Sequence, residues 1–183
     1  MNFRFLDSHE KYDGSQLTSL RNYLTHGLLG DSIVAWVGPC DVSNEHMVDG
    51  EDLVQGARIA GSQMLHFIVE KFDVSLFAAV ALQRLFAGIV KDQLQKSAAE
   101  LVRDGDDIYL GDRKLSISIA TQSPTHCLIH FAVNVSNEGT PVKTLALQDL
   151  GVDAKALALA VMQAFCSEVD SIHTATRKVR SVP

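Results

Sequence analysis

The chain has 183 residues, 46% of them hydrophobic, and a formal net charge of −6 at pH 7. This length supports one substantial core, so we expect a single domain over residues 1–183. The acidic balance argues against binding to nucleic acid, which requires clustered Lys and Arg. Three cysteines at distant positions predict no disulfide framework, and the chain shows neither a secretory start nor a long apolar span. We therefore expect a cytoplasmic protein with no membrane segment.

The first seventy residues contain short strand-like runs separated by polar, glycine-bearing segments. The runs cover residues 3–6, 33–37 and 64–69. Two of the bends between them carry polar side chains beside glycines, which permit unusual backbone angles. These side chains are Asp13, Ser15 and Gln16 in the first bend and Asp31 and Ser32 in the second. Such bends edge a binding pocket or form ordinary turns, and the pattern leaves both interpretations open.

Apolar residues at helical spacing predict a long helix over residues 74–96, with Asp73 or Ser75 as its N-cap. A second apolar series predicts a C-terminal helix over residues 153–172, capped by Asp153. Because strands come first, followed by a helix, further antiparallel strands and a closing helix, the pattern predicts an α+β protein. We expect a mixed, mainly antiparallel sheet with helices packed on one face, which leaves the other face for a ligand.

Between the two helices, residues 105–136 predict a hairpin followed by a third strand, and we expect this region to carry the functional site. The hairpin turns at Gly111-Asp112, and the third strand covers 127–136. Alternation places Leu115, Ile117 and Ile119 on one face and Lys114, Ser116 and Ser118 on the other. If the two strands are neighbours, the second set shares a face with His130 and Asn134. A solvated polar face is the other interpretation of this stripe.

These residues carry a resemblance to the biotin and lipoate protein ligases. Asp106-Asp107-Ile108 with Lys114-Leu115-Ser116 resembles their Asn-Asp-Ile and Lys-Leu/Ile-x segments, and residues 130–135 resemble their Gly-x-Gly-x-Asn-Val strand. The same strand is similar to the His-Gly-x-Ala-Leu-Asn-Val strand of octanoyl transferases. Over nearly its whole length the chain resembles a prokaryotic family described as domain of unknown function 366. The resemblance implies the biotin/lipoate ligase-like fold of the class II aminoacyl-tRNA synthetase/biotin synthetase superfamily.

The resemblance also implies a function, namely an acyl ligase or transferase acting on a small carboxylic acid or acyl group, with a small-molecule acyl substrate or an acyl carrier as its partner. Lys114 matches the lysine that contacts the activated acyl group, so it is the predicted catalytic residue. Arg103, Gly105, Asp106 and Asp107 would line the nucleotide or head-group end, although an acidic turn also explains the carboxylates. Ser116, Ser118, His130 and Asn134 would shape the substrate site. The two polar bends, with Asp13, Ser15, Gln16, Asp31 and Ser32, would edge it.

The departures from the ligase pattern leave the reaction open. The chain has no Gly-Arg-Gly-Arg run of the kind that closes on the adenylate, so ATP and Mg²⁺ stay an open cofactor prediction. Ile117 replaces the glycine usually found three residues after the lysine. The region after the Asn-Val strand reads Gly139-Thr140-Pro141 in place of the Pro-Cys-Gly of octanoyl transferases. A ligase-like scaffold that binds a small ligand without catalysis is therefore the alternative.

Two further predictions concern Cys40 and the oligomeric state. Cys40 is the substitute nucleophile if a cation or helix N-terminus lowers its pKa, whereas buried free cysteines are usually inert. An alternative interpretation is a metal-dependent enzyme whose ligands are Cys40, His46, Asp49 and His66. Their spacing matches no compact zinc signature. We also expect a homo-oligomer, because open sheets present unpaired edge strands.

Overall fold

In the computed structural model, which describes residues 1–182, a five-stranded sheet forms the centre of the molecule. The spatial order is β1-β2-β3-β8-β7, and every neighbouring pair is antiparallel except β1 and β2. The strands are β1 Asn2–Phe5, β2 Ser32–Val42, β3 Ile59–Lys71, β7 Ser116–Gln122 and β8 Cys127–Asn134. A second, three-stranded antiparallel sheet contains β4 Val102–Asp104, β5 Asp107–Leu110 and β6 Arg113–Lys114.

The helices are α1 Arg21–His26, α2 Gly50–Gln55, α3 Leu76–Leu94, α4 Leu147–Leu150 and α5 Ala154–Arg177, with a 3₁₀ turn at Asn44–His46. The helix predicted over 74–96 corresponds to α3, and Ser75 is its cap because its Oγ accepts the Ala78 N–H at 3.2 Å. The helix predicted over 153–172 corresponds to α5, capped by Asp153. Within residues 1–182, no helix is both long enough and apolar enough to cross a membrane.

Helices α3 and α5 pack on one face of the sheet, which we call the helix face. Phe86 of α3 lies at the centre of this core, with its ring centroid 5.0–5.1 Å from those of Phe67, Phe131 and Phe165. The opposite face, which we call the open face, carries a smaller apolar cluster that includes Trp36. The N-terminal segment covers part of it through Tyr12. This arrangement confirms the predicted α+β fold with helices on one face.

The predicted strand over 114–120 is interrupted at Leu115. Lys114 pairs with Tyr109 in the small sheet, whereas Ser116 begins β7 in the main sheet. Leu115 lies between the two sheets, fully buried in the helix-face core, and its N–H donates to the Ile108 carbonyl at 2.8 Å. A strand that passes from one sheet to another does not keep one alternation throughout.

The predicted faces of β7 are therefore wrong. Ser116 and Ser118 pair with Val133 and Phe131, which belong to the helix face. Ile117 and Ile119 pair with Ala132 and His130 on the open face. The serines do not share a face with His130 and Asn134, and the isoleucines do. Because both faces of this sheet are partly covered, polarity along the strand does not identify the helix side.

Candidate functional site

A cavity of about 420 Å³ opens at one end of the open face. Its floor comes from β7, β8 and the beginning of β3, including Ile117, His130 and Met64. Two segments, 46–60 and 140–144, contribute its walls. The volume lies within the range of small-molecule sites, which are concave and mostly apolar with a few polar groups. This cavity is the candidate functional site.

Lys114 and Asp107 form an ion pair in the lining of the cavity. Lys114 Nζ lies 2.8 Å from Asp107 Oδ2, and the two side chains are 29% and 25% exposed. Tyr109 Oη also donates to Asp107 Oδ2, at 3.1 Å. The Lys114 backbone is fixed as well, since its N–H donates to the Lys143 carbonyl and its carbonyl accepts from Leu145 N–H. The ammonium is thus held at a defined place by both its backbone and its carboxylate partner.

Asn134 ties the lysine to the main sheet. Its Nδ2 donates to the carbonyls of Lys114 and Leu145, at 3.1 Å in both cases. Its own backbone N–H donates to the Leu115 carbonyl at 3.0 Å. The side chain is 4% exposed and lines the cavity. Asn134 therefore positions the Lys114 backbone, and both N–H groups of its amide are used.

Asp106 belongs to a hydrogen-bonded network with α3. Its Oδ2 accepts from Gln83 Nε2 at 2.9 Å and from Ser118 Oγ at 2.7 Å, and Gln83 Nε2 also donates to Ser118 Oγ. Ser116 Oγ, nearby, accepts the Ile108 N–H at 3.0 Å. These contacts attach the small sheet to α3 and β7. Asp106, Ser116 and Ser118 contribute atoms to the cavity wall, but their polar groups already have partners.

Asp49 and Asp52 add two carboxylates to the cavity from the start of α2. Burial raises the pKa of Asp52, and the neighbouring carboxylate of Asp49 raises it further, whereas Lys114 lowers it. Sequence reasoning missed Asp52 and the aromatic wall residue Tyr12 as cavity residues. Neither lies in a periodic segment that points to a pocket, since long-range folding alone brings both to the open face.

Several predicted site residues lie outside the cavity. Asp31 and Ser32 stand at the opposite end of β2, ten residues from Val42 and roughly 30 Å away at ~3.3 Å per residue. There Asp31 pairs with Lys71 at 2.7 Å. The prediction that this bend edges the pocket is therefore wrong.

The first polar bend and two of the head-group residues, Arg103 and Gly105, lie nearer, but they also stay outside the lining, whereas Asp106 and Asp107 belong to it. Ser15 Oγ donates to Asp13 Oδ1 at 2.6 Å, and Gln16 Nε2 donates to the Lys11 carbonyl at 2.9 Å. Arg103 donates to the Gly105 carbonyl next to the cavity wall. From the first bend region, the cavity receives Tyr12 and Leu17 instead.

The structure does not bring Cys40, His46, Asp49 and His66 together as a metal set. His46 and Asp49 line the cavity, whereas Cys40 and His66 are buried beneath the N-terminal segment. Within residues 1–182, no three His, Cys, Asp or Glu side chains are placed to hold one metal ion. Burial also raises the pKa of the Cys40 thiol to about 12, which keeps it protonated at neutral pH. Cys40 therefore lacks the thiolate that a nucleophile requires.

Residues 1–180 match the model of a family described as Domain of unknown function (DUF366). The chain is a member of this family. An uncharacterized protein of Methanocaldococcus jannaschii is 32% identical over 185 residues, covering 97% of this chain and 84% of the relative. A solved protein of unknown function from Pyrococcus horikoshi is 37% identical with a TM-score of 0.93, covering 99% of this chain and 100% of that one.

The fold is also similar to that of the biotin and lipoate protein ligases. A biotin protein ligase from Aquifex aeolicus in complex with biotin and ATP gives a TM-score of 0.59 at 14% identity, covering 92% of this chain and 70% of the ligase. A candidate lipoate protein ligase from T. acidophilum with bound lipoic acid gives 0.58 at 14% identity, covering 92% and 86%. At this identity the likeness establishes the fold and leaves activity to be argued from the site.

Proposed function

We propose that this protein is an acyl ligase or transferase that acts on a small carboxylic acid or acyl group, with Lys114 at the reacting carbonyl. The observation that carries the proposal is the Lys114–Asp107 pair, 2.8 Å apart, in the wall of a 420 Å³ cavity. The fold adds support, since the similar ligase structures contain biotin and lipoic acid.

The chemistry of Lys114 suits a carbonyl that gains negative charge. An ammonium has three N–H donors, and within residues 1–182 the side chain of Lys114 has Asp107 as its one ion-pair partner. Two donors are thus left for an oxygen in the cavity. When a nucleophile attacks an acyl carbon, charge develops on the carbonyl oxygen, and a fixed cation in a water-poor cleft stabilises it. Asp107 acts as the positioning residue for this ammonium.

The shape of the cavity suits an acyl chain of medium length. Asn134 marks the lysine end, and His130 lies four residues away along β8, which is roughly 13 Å at ~3.3 Å per residue. Ile117, Met64 and Ala60 line the cavity as well. An extended chain covers about 3.5 Å for every three bonds, so this span corresponds to roughly ten bonds.

The residues present do not fit a nucleoside triphosphate. Four carboxylates, those of Asp49, Asp52, Asp106 and Asp107, line the cavity against the two cations Lys114 and Arg58. Repulsion between these carboxylates and the phosphates of a triphosphate disfavours its binding. We therefore propose an acyl donor that is already activated, such as a thioester.

Transfer would then be direct, because Cys40 does not supply a thiolate. The acceptor nucleophile attacks the thioester carbonyl, a new bond to carbon forms, and the C–S bond breaks to release the thiol. A binding module without catalysis is the second candidate, favoured by the same protonated Cys40 and by the poor fit to ATP. The two candidates differ in one observable: a transferase releases thiol from the thioester, and a binding module does not.

Incubation with octanoyl-coenzyme A and hydroxylamine tests the reaction. The hydroxylamine nitrogen accepts the acyl group, so octanoyl hydroxamate and free thiol appear in equal amounts. We expect Lys114→Ala to lose at least tenfold in rate with an unchanged melting temperature. The matched control is Lys143→Ala, which removes an exposed lysine paired with Asp112 outside the cavity. Octanoate binding without thiol release would favour the binding module, and equal rates in the two variants would remove Lys114 from the reaction.

We also propose that the protein forms a homo-oligomer. β1 and β7 are the edges of the main sheet, and either edge offers backbone groups for pairing with a second copy. Light scattering during size-exclusion chromatography measures the mass directly. A mass of one chain would exclude a stable dimer.

A further inference from the structure

Two histidines form a hydrogen-bonded pair beneath Tyr12 on the open face. His66 Nδ1 lies 3.1 Å from His130 Nε2, and His66 Nε2 lies 3.2 Å from the Gly38 carbonyl oxygen. The Tyr12 ring stacks on His130 with centroids 3.6 Å apart and planes 7° apart. His66 is fully buried and His130 is 2% exposed. The proposed transfer step assigns no role to the hydrogen bond between these two rings.

A single carbonyl fixes the proton positions of both rings. A carbonyl oxygen only accepts, so His66 Nε2 must carry a hydrogen and donate to Gly38. Burial lowers the pKa of His66 to about 4, which leaves its Nδ1 unprotonated at neutral pH. His130 Nε2 must then donate to that nitrogen. Burial also lowers the pKa of His130, so its remaining nitrogen, Nδ1, holds a free lone pair.

His130 Nδ1 faces the cavity. The enclosed side-chain atoms that lack any partner in residues 1–182 are Asn22 Oδ1, Glu70 Oε2 and His126 Nε2. His130 Nδ1 has no hydrogen-bond partner in the described chain either, yet it is not one of these enclosed atoms, and His130 lines the cavity. The atom is therefore open to the cavity space. Its cross-strand neighbour in the lining, Ile119, is apolar and offers no donor.

The geometry points to an acyl group that carries a hydrogen-bond donor, an N–H or O–H, on its tail roughly 13 Å from the carbonyl, where His130 Nδ1 accepts it. This inference rests on the proposed function, because it takes Lys114 as the carbonyl end. A tail that ends in a methyl group, or in a group that only accepts hydrogen bonds, leaves the His130 Nδ1 acceptor buried without a partner, which costs affinity. His130 is thus a specificity-determining residue, and His66 is the positioning residue that keeps its lone pair turned outward.

Three acids of equal chain length test the inference by calorimetric titration of the wild-type protein. ω-Hydroxydecanoate, whose hydroxyl is ten bonds from the carbonyl carbon, offers a donor, ω-methoxynonanoate offers only an acceptor, and undecanoate offers neither. We expect the hydroxy acid to bind about tenfold more tightly than the other two. The methoxy acid also separates His130 from Tyr12, whose hydroxyl is able to donate to an ether oxygen. Preference for the methoxy acid, or equal binding of all three, overturns the inference while leaving the proposed function intact.

A variant and a spectrum complete the test. His130→Phe should remove the preference for the hydroxy acid, bringing the affinities of the three acids to within about twofold of one another. Nitrogen-15 NMR of histidine-labelled wild-type protein should show His130 protonated on Nε2 and unprotonated on Nδ1. A proton on Nδ1 would overturn the inference even if the variant fails to fold. Failure of all three acids to bind would overturn the proposed function and this inference together.

Discussion

The burial of His66 predicts how strongly the free energy of unfolding depends on pH in acid. The pKa of His66 is lowered from 6.5 to about 4 because burial disfavours the charged ring. As pH falls, the unfolded chain binds a proton on this histidine near 6.5, whereas the folded chain binds it only near 4. Stability from His66 is therefore fully present above pH 6.5 and is lost as pH falls to 4. The span is about two and a half pH units at ~1.36 kcal/mol each, which gives about 3 kcal/mol.

The variant His66→Gln isolates this contribution. A glutamine amide offers one donor for the Gly38 carbonyl and one acceptor for His130 Nε2, and it does not titrate. Urea unfolding followed by circular dichroism at pH 7.5 and pH 4 gives the free energy of unfolding of each protein. We expect the wild type to lose about 3 kcal/mol more than the variant over this interval. The carboxylates titrate equally in both proteins, so they cancel.

His9→Gln is the matched control, because His9 is exposed. It should follow the wild-type dependence on pH. If His66→Gln also follows the wild-type curve, then His66 is not held neutral by burial. The tautomer assignment behind the further inference would lose its basis.

Three other changes have defined outcomes. Cys40→Ala should leave octanoate affinity within about twofold in calorimetry, because the buried thiol carries no charge at neutral pH; a tenfold loss would return Cys40 to the site. Ile117→Trp fills the cavity floor and should weaken octanoate binding by at least about tenfold without lowering the melting temperature, whereas unchanged binding would place the acyl chain elsewhere. Asn134→Ala leaves the Lys114 and Leu145 carbonyls without their side-chain donor and should cost about 1–3 kcal/mol in urea unfolding. An unchanged free energy of unfolding in this variant would contradict the stabilising role of the two Asn134 hydrogen bonds.

Local signals in the sequence were sufficient for the helices and for the fold class. The caps of α3 and α5, Ser75 and Asp153, are short-range features, and each accepts a backbone N–H within three residues. Helical periodicity is also a local signal, because it is defined by the spacing of apolar residues within one short segment. The resemblance supplied the family and the ligase-like fold, both of which the comparisons confirm.

The sequence does not determine which face of β7 packs against the helices, for a physical reason. Period-two alternation separates two faces but does not say which of them meets the helices. Ser118 looked like a solvent-side or site residue, yet it faces α3 because Gln83 and Asp106 satisfy its hydroxyl. A partly buried hydrogen-bond network makes a polar position compatible with a covered face.

The open-face layer was equally hidden. Tyr12 meets His130 across more than a hundred residues of sequence, and Asp52 reaches the cavity through a loop with no regular period. No local pattern encodes such contacts. The resemblance named His130 and Lys114 as site residues, and the structure places both in the lining of one cavity.

The most direct test of the central claim is calorimetric titration of octanoate into the wild type, Lys114→Ala and Lys143→Ala at neutral pH. The cavity and its lysine predict one site per chain in the wild type and in Lys143→Ala, and at least a tenfold loss in Lys114→Ala with an unchanged melting temperature. Equal affinity in all three proteins, or no binding in any of them, would contradict the assignment of this cavity as an acyl site.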